Sequence, residues 1–411
     1  MKRSVCAGVL ATAGFAVSLA QAQLAVTVRN GVNLGTSVND QHGSAFTVAG
    51  LSGISYLGPY LDSADTSDHH FAMVMDNSNK LVSVVMKFAT DGTITSAVLN
   101  RGLSLALTRD FEDVVYTGEA RDSVFVCEED TPQVHEFSLE DGSLIRSLPV
   151  PSVFANRRAN FGFEAMSLQP EDPDNGNPGG DMALWAINEE ALSVDGPQST
   201  STAGTVVRAL HYVLAGGVGG AATTNEQFAI VTDPIHAPLT TGARSGVSAL
   251  ALLPSGGVLI LERSFGFSFT SPFQSRIYEV SGDDLMNVAG FASLIGVTYT
   301  PVSKRLLYVG NQTNMEGLCL GPKLAPHTYA LVGVVDDGDP ISVNRVVGFV
   351  LTGVPSACRA DFNDDGFLDF SDFDEFVVAF EAGQASSDFN GDGFLDFSDF
   401  DDFVSAFESG C

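Results

Sequence analysis

Basic side chains are scarce in this sequence. Twenty Lys and Arg stand against 50 Asp and Glu in 411 residues, a net charge of −30, which excludes a polyanionic partner such as nucleic acid. Acidity of this size also serves merely to solvate a surface, and for the body of the chain that reading stays open. Long apolar runs are missing: the stretch from Val9 to Leu19 is short for a bilayer span, and nothing after it reaches the roughly 18 residues a span requires. Familiar catalytic signatures are absent too. There is no G-x-S-x-G nucleophile elbow, no H-E-x-x-H zinc helix, no Walker loop and no dinucleotide fingerprint. The seven histidines are scattered, and His69-His70 reads as a loop pair.

What the N-terminus does contain is a basic start, Met1-Lys2-Arg3, then the short apolar stretch and the small-x-small triplet Ala20-Gln21-Ala22. This pattern predicts a signal peptide over 1–22, a mature chain starting near Gln23, and a secreted, cell-surface or periplasmic location. Cys6 would leave with the leader, so Cys127, Cys319, Cys358 and Cys411 remain for an oxidising compartment. Cys358 and Cys411 bracket one short module and are expected to pair. Cys127 and Cys319 are either paired across the main domain or free. Asn311-Gln312-Thr313 matches a glycosylation acceptor and equally reads as a plain surface loop. The segment Pro170–Gly180 reads as an acidic surface loop with weak calcium binding as its alternative.

In the tail, Asp361–Gly383 is nearly duplicated 27 positions later by Asp388–Gly410. Each copy opens with a twelve-residue loop, 361–372 and 388–399, whose oxygens fall at the spacing of a calcium loop. Positions 1, 3 and 5 are Asp361, Asn363, Asp365 and Asp388, Asn390, Asp392. Gly366 and Gly393 make the turn, Phe367 and Phe394 would offer a backbone carbonyl, and Asp369, Asp372 and Asp396, Asp399 complete the sets. Apolar stripes at helical spacing follow: Phe373, Phe376, Val377, Phe380, and then Phe400, Phe403, Val404, Phe407. No helix has room to enter the first loop, so the unit is loop then helix, twice. From Cys358 to Cys411 this resembles the dockerin family, in the variety that ends in Gly-Cys. The resemblance implies calcium-dependent folding and binding to a cohesin-like receptor domain, with Phe370-Ser371 and Phe397-Ser398 at matching positions of the two copies. Two calcium ions and a disulfide would hold so small a core together. The module is assigned to 354–411.

The main domain, 23–353, carries short apolar runs separated by Gly, Asp, Asn and Pro clusters, a mainly β pattern. A phrase recurs: Leu51-Ser-Gly-Ile-Ser55, Asp110-Phe-Glu-Asp-Val114, Gly162-Phe-Glu-Ala-Met166, Arg244-Ser-Gly-Val-Ser248 and Asn314-Met-Glu-Gly-Leu318. Its intervals suit propeller blades, and the domain length corresponds to about six four-stranded blades, with a pair of β-sandwiches as the structural alternative. These phrases, with Val124–Asp130, Ala186–Leu192 and Val258–Ser264, resemble the phytase-like propeller family labelled as having esterase-like activity of phytase. Glu112, Glu164 and Glu316 share one position of the repeat, and Glu128, Glu129, Glu189, Glu190 and Glu262 follow apolar strands. A carboxylate ring at one mouth is a calcium site or an acid/base site, and the family comparison favours metal.

The catalytic set read from these residues is Glu112, Glu164, Glu189, Glu262, Arg263 and Glu316. Calcium held by the glutamates would neutralise a phosphorylated or acyl ester substrate, Arg263 with Arg109 would grip its oxygens, and water would attack. The expected protein is a calcium-dependent phosphoric or carboxylic ester hydrolase anchored by its tail. The alternative is a non-catalytic ligand- or protein-binding propeller whose glutamates fasten neighbouring blades.

Overall fold

The structure, a computed structural model, describes residues 23–411 apart from 62, 64, 170–180, 238–241, 267–271, 281–284, 339–341, 356–357, 364–367, 391–392 and 410–411. The expected leader, the acidic loop at 170–180, and Asp365, Phe367, Asp392 and Cys411 of the tail therefore lie outside the described residues. No helix among the described residues is long and apolar enough to cross a membrane.

The chain starts with β1 (Ala25–Asn33) and a small hairpin, β2 (Ser37–Asn39) and β3 (Ala45–Thr47). Antiparallel four-stranded sheets then follow one another. The first is β4 (Leu51–Pro59), β5 (His69–Met75), β6 (Ser78–Phe88) and β7 (Ile94–Arg109). The second is β8 (Phe111–Tyr116), β9 (Ser123–Glu128), β10 (Gln133–Ser138) and β11 (Leu144–Ser147). The third is β12 (Phe163–Leu168), β13 (Met182–Asn188), β14 (Val206–Leu214) and β15 (Ala222–Val231). The fourth is β16 (Arg244–Leu252), β17 (Val258–Phe265), β18 (Phe273–Val280) and β19 (Lys304–Gly310). The fifth joins β20 (Met315–Ala325), β21 (Thr328–Val335) and β22 (Arg345–Thr352) to β1, which pairs Ala25 with Thr352 and Asn33 with Arg345. A strand from one end of the chain thus completes the blade made by the other, and the five inner strands β4, β8, β12, β16 and β20 touch in a closed ring.

Five blades replace the six expected, and a propeller excludes the paired sandwiches. Dividing length by blade size overcounts because outer strands such as the 16-residue β7 and the long connection between β18 and β19 absorb chain. The recurrent phrase counts correctly: its five copies fall at the starts of the five inner strands. Each interface between neighbouring blades has its own apolar core. Phe111, Val126 and Phe137 pack on Ala72, Val74 and Leu103 between the first two blades, for example, and Leu259, Leu261 and Ile277 pack on Leu331, Phe349 and Leu351 between the last two. Burying such side chains stabilises by roughly 1.5–3 kcal/mol each. His69 and His70 open β5 and are not a loop pair: His69 Nδ1 is 2.9 Å from Tyr56 Oη, and His70 bonds Ser83. Cys127 and Cys319 are buried free thiols, so of the two readings left open the unpaired one holds.

In the tail, α1 (Phe370–Glu381) and α2 (Phe397–Ser409) meet through their phenylalanine stripes. Phe376 and Phe403 stack with ring centroids 3.9 Å apart and planes 7° apart, and Phe362 and Phe389 stand edge-on to the pair. Asp369 caps α1, and Gly383, with φ 68°, follows its C-cap.

Blade contact depends on small residues at the mouth. Asp113 of β8 accepts from the Met166 N–H of the third blade at 2.7 Å, while its other oxygen packs against Gly53 of the first. A Cβ on Gly53 would lie 2.8 Å from Val114 N and closer still to Asp113. Gly53→Ala should therefore cost about 1–3 kcal/mol and lower the melting temperature of the propeller transition by several degrees, checked by calorimetry against the unchanged protein.

Candidate functional site

Each inner strand is joined to its neighbour through an irregularity just inside its start: at Leu51/Ile54, Phe111/Val114, Phe163/Ala165, Val247/Ala249 and Met315/Gly317. Bulges of this kind re-aim side chains and recur beside functional sites. Aligned on them, the blades show a repeat at three positions. Just before the irregularity come Gly50, Asp110, Gly162, Gly246 and Asn314. Within it come Ser52, Glu112, Glu164, Ser248 and Glu316. The matching residues are Arg263 on the second strand of the fourth blade and, directly after the second strand of the other four, Asp76, Glu129, Glu189 and Asp336. In four blades the last residue's N–H bonds the carbonyl of the first: Asp76 to Gly50 at 2.7 Å, Glu129 to Asp110 at 2.9 Å, Glu189 to Gly162 at 3.1 Å and Asp336 to Asn314 at 3.1 Å. In the fourth blade Arg263 pairs in register with Gly246. One guanidinium thus stands where the other four blades carry a carboxylate.

Arg263 is buried and surrounded. It bonds Glu316 and Asn314 (3.0 Å) through Nη1, and Nη2 lies 2.8 Å from Glu189 and 3.6 Å from Glu164. Asn314 in turn donates to Asp336 at 3.0 Å. Arg244 reaches the same cluster from the rim, with Nε 3.5 Å from Glu189 and its guanidinium over the Phe161 ring. The opposite side of the mouth has no such neutralisation. Asp110 lies within hydrogen-bonding reach of both Asp76 and Glu129, and Glu112 takes a bond from Ser52 Oγ at 2.9 Å. Among the described residues no basic side chain pairs with Asp76, Asp110, Glu112 or Glu129, and Oδ1 of Asp76, Asp110 and Asp336 is buried without a hydrogen-bond partner. Burial, reinforced by neighbouring carboxylates, pushes Asp76 up to about 6 and Glu129 to about 8, and raises Glu112 and Glu164 well above the usual range. Burial, with the Glu189 charge beside it, brings Glu190 to about 7. Two sets of oxygens, from Asp110, Glu112 and Glu129 and from Glu129, Glu164 and Glu189, each lie within 4.8 Å of one another, a spacing at which one cation gathers three ligands.

The family model described as phytase-like, esterase-like activity of phytase, matches residues 47–338. The chain belongs to the phytase-like family. No curated protein matches it. Among solved structures it is similar to the hydrazine synthase of Kuenenia stuttgartiensis (12% identity, TM-score 0.30, 76% of this chain covered), of whose chain it spans 65%. It is similar also to an alpha-L-arabinanase of Penicillium chrysogenum (11%, 0.35, 77% of this chain and 85% of that one) and to a mannose phosphorylase of Leishmania mexicana (8%, 0.35, 78% and 88%). These likenesses are too distant to bear on function.

Within this phytase-like propeller, Glu112, Glu164, Glu189, Arg263 and Glu316 of the sequence-predicted set come together. Glu262 does not join them. It precedes Arg263 on β17, so it projects to the other face, where Lys304 and the Asp233 N–H (2.8 Å) hold it. Glu128 occupies the equivalent place in the second blade and is held by His135 at 3.1 Å and Arg109 at 3.5 Å, so Arg109 faces away from the ring. Asp76, Asp110, Asp336, Arg244 and Asn314 were missed. A signal for all five was available: Asp76 and Asp336 stand directly after the second strand of a blade, as Glu129 and Glu189 do, and Asp110, Arg244 and Asn314 each open a copy of the recurrent phrase.

The tail loops repeat one hydrogen-bond pattern. Asp372 accepts from Asn363 N at 3.1 Å and Asp369 N at 2.9 Å, and Asp399 accepts from Asn390 N at 3.2 Å and Asp396 N at 2.9 Å. Asp361 is buried, Asp388 accepts from Gly393 N at 2.9 Å, and Phe394 is exposed.

Carboxyls raised by the fold bind more protons folded than unfolded between their ordinary values of 3.8 to 4.5 and their folded values of about 6 to 8. Unfolding free energy must then fall as pH rises through that window. Chelator-treated protein should melt highest near pH 5 and progressively lower up to pH 9. A melting temperature flat or rising over that range would contradict the assignment.

Proposed function

We propose that the acidic mouth binds a divalent cation, calcium, and serves a hydrolase of phosphoric or carboxylic esters acting outside the cytoplasm. The observation that carries this reading is the contact among Asp76, Asp110 and Glu129 with no basic side chain paired to them among the described residues. Carboxylates so placed need protons or a cation, and oxygens are the ligands calcium prefers. Asp110, Glu112 and Glu129 would hold the ion. When bound, it supplies positive charge to a phosphoryl or acyl oxygen and makes water more acidic.

The chain's own residues divide the remaining work. Arg263 is saturated by Glu189, Glu316 and Asn314 and has little left for a substrate. Arg244, partly exposed at the rim, is the guanidinium suited to orienting an anionic group. Glu190, whose carboxyl titrates near neutrality beside Arg244, is suited to passing a proton to a leaving oxygen. The saturation of Arg263 equally supports the second reading, a non-catalytic propeller that binds a ligand or protein.

For the tail we read a dockerin-type calcium module that attaches the propeller to a cohesin-like receptor domain. The matched bonds at Asp372 and Asp399 and the exposed Phe370 and Phe397 support it. Secretion rests on the leader-like first 22 residues.

The test is turnover of phytate, a chromogenic phosphomonoester and a short acyl ester by the full chain, with and without calcium. Glu112→Gln should lower kcat by about 100-fold or more while the protein stays folded. Arg244→Gln should cost roughly 10- to 100-fold on the phosphate ester, the worth of one charge-assisted contact, and less on the uncharged ester. No turnover on any of the three would leave the binding propeller standing.

A further inference from the structure

We propose that Arg263 is a built-in cation occupying one of the two carboxylate clusters, so that the mouth takes one divalent ion, on Asp110, Glu112 and Glu129, and not two. This rests on the cation-binding reading above. The two oxygen clusters share Glu129 and differ in the rest. In the Glu129–Glu164–Glu189 cluster, Nη2 of Arg263 already lies 2.8 Å from Glu189 and 3.6 Å from Glu164, and Nη1 draws in Glu316. A second ion there would displace a buried guanidinium or sit against its charge, and at a few ångströms in a poorly screened site that repulsion is large. Arg244 adds a further positive charge on the same side.

The other cluster has the opposite character. Among the described residues no basic side chain pairs with it, and its neighbours include Asp76 beside Asp110 and, beyond Asp76, the carboxylate of Asp336. Asp336 is 8% exposed. Its Oδ2 is spent on Asn314 (3.0 Å) and the Gly338 N–H (2.9 Å), and its buried Oδ1 has no hydrogen-bond partner. Glu112, 9% exposed, takes its one hydrogen bond among the described residues from Ser52 and points into the same cluster. Four blades place a carboxylate at the position of Arg263, so the fold accommodates an acid there, and the fourth blade has a fixed positive charge instead.

Calcium bound at saturation by the full chain, counted by equilibrium dialysis or native mass spectrometry, tests this, because the tail contributes equally to every variant and cancels. Glu112→Gln should bind one ion fewer than the unchanged protein, Glu164→Gln the same number, and Arg263→Gln one more, while Arg263→Lys keeps the original count. If Glu112→Gln loses no ion, the mouth is not a cation site and the underlying reading fails. If Glu112→Gln loses one but Glu164→Gln also loses one, or folded Arg263→Gln gains none, the mouth binds calcium and the role given to Arg263 is overturned. Should Arg263→Gln not fold, the Glu164→Gln count decides alone: unchanged upholds the proposal and a loss overturns it.

Discussion

Negative charge gathered where the five inner strands begin is the constraint around which this propeller is arranged. A closed ring of blades brings the same strand position of every blade onto one circle, so whatever side chain a repeat position carries is multiplied around the mouth. Here that multiplication concentrates Asp76, Glu129, Glu189 and Asp336 on one circle and Glu112, Glu164 and Glu316 just inside it. Buried carboxylates left unpaired cost several kcal/mol each. Arg263 relieves three of them at once, from a blade that faces two others. In the remainder, burial and neighbouring carboxylates push Asp76, Glu112 and Glu129 above their ordinary range.

The surrounding framework makes this crowding possible. Irregularities at the start of every inner strand turn the acidic side chains into the mouth, and small residues let neighbouring blades approach there. Gly246, for instance, has Glu189 so close that a Cβ would lie 2.7 Å from its Cγ. Asp113, buried one residue beyond Glu112, spends both oxygens on backbone N–H groups and ties two blades together. Consecutive acids on one strand therefore have different fates, one a strut between blades and the other a member of the ring.

Much of this was legible in the sequence, and the failures have physical causes. The five recurrent phrases marked the five inner strands, and the shared glutamate position led to Glu112, Glu164 and Glu316. Blade number was misjudged because chain length includes outer connections that no repeat governs. Glu262 was misassigned because strand side chains alternate: it is the immediate neighbour of Arg263, and that single step exchanges the ring for the blade's flank. Asp76 and Asp336 escaped notice because an Asp at the end of a strand, followed by Asn or by Asp-Gly, reads as ordinary turn chemistry. Only the closed ring reveals that such turns converge.

The tail and the mouth gather acids under opposite mechanical conditions, and their carboxyls respond in opposite directions. Asp369 and Asp396 lie on exposed loops, and the hydroxyl and N–H groups of Ser371 and Ser398 hold them below the usual carboxylate range. Asp372 and Asp399 tie each loop to the start of its own helix through backbone N–H groups, so these acids are held by contacts within one short unit. At the mouth the acids sit on or directly beside inner strands that close into a ring, and separation would mean opening that ring. Hydrogen bonds within the loops meet the charge of the tail acids, whereas at the mouth the Arg263 guanidinium and the raised carboxyls answer the crowding. A cation bound in the tail would accordingly act on folding, whereas one bound at the mouth would meet a frame already built and act mainly on the charge within it.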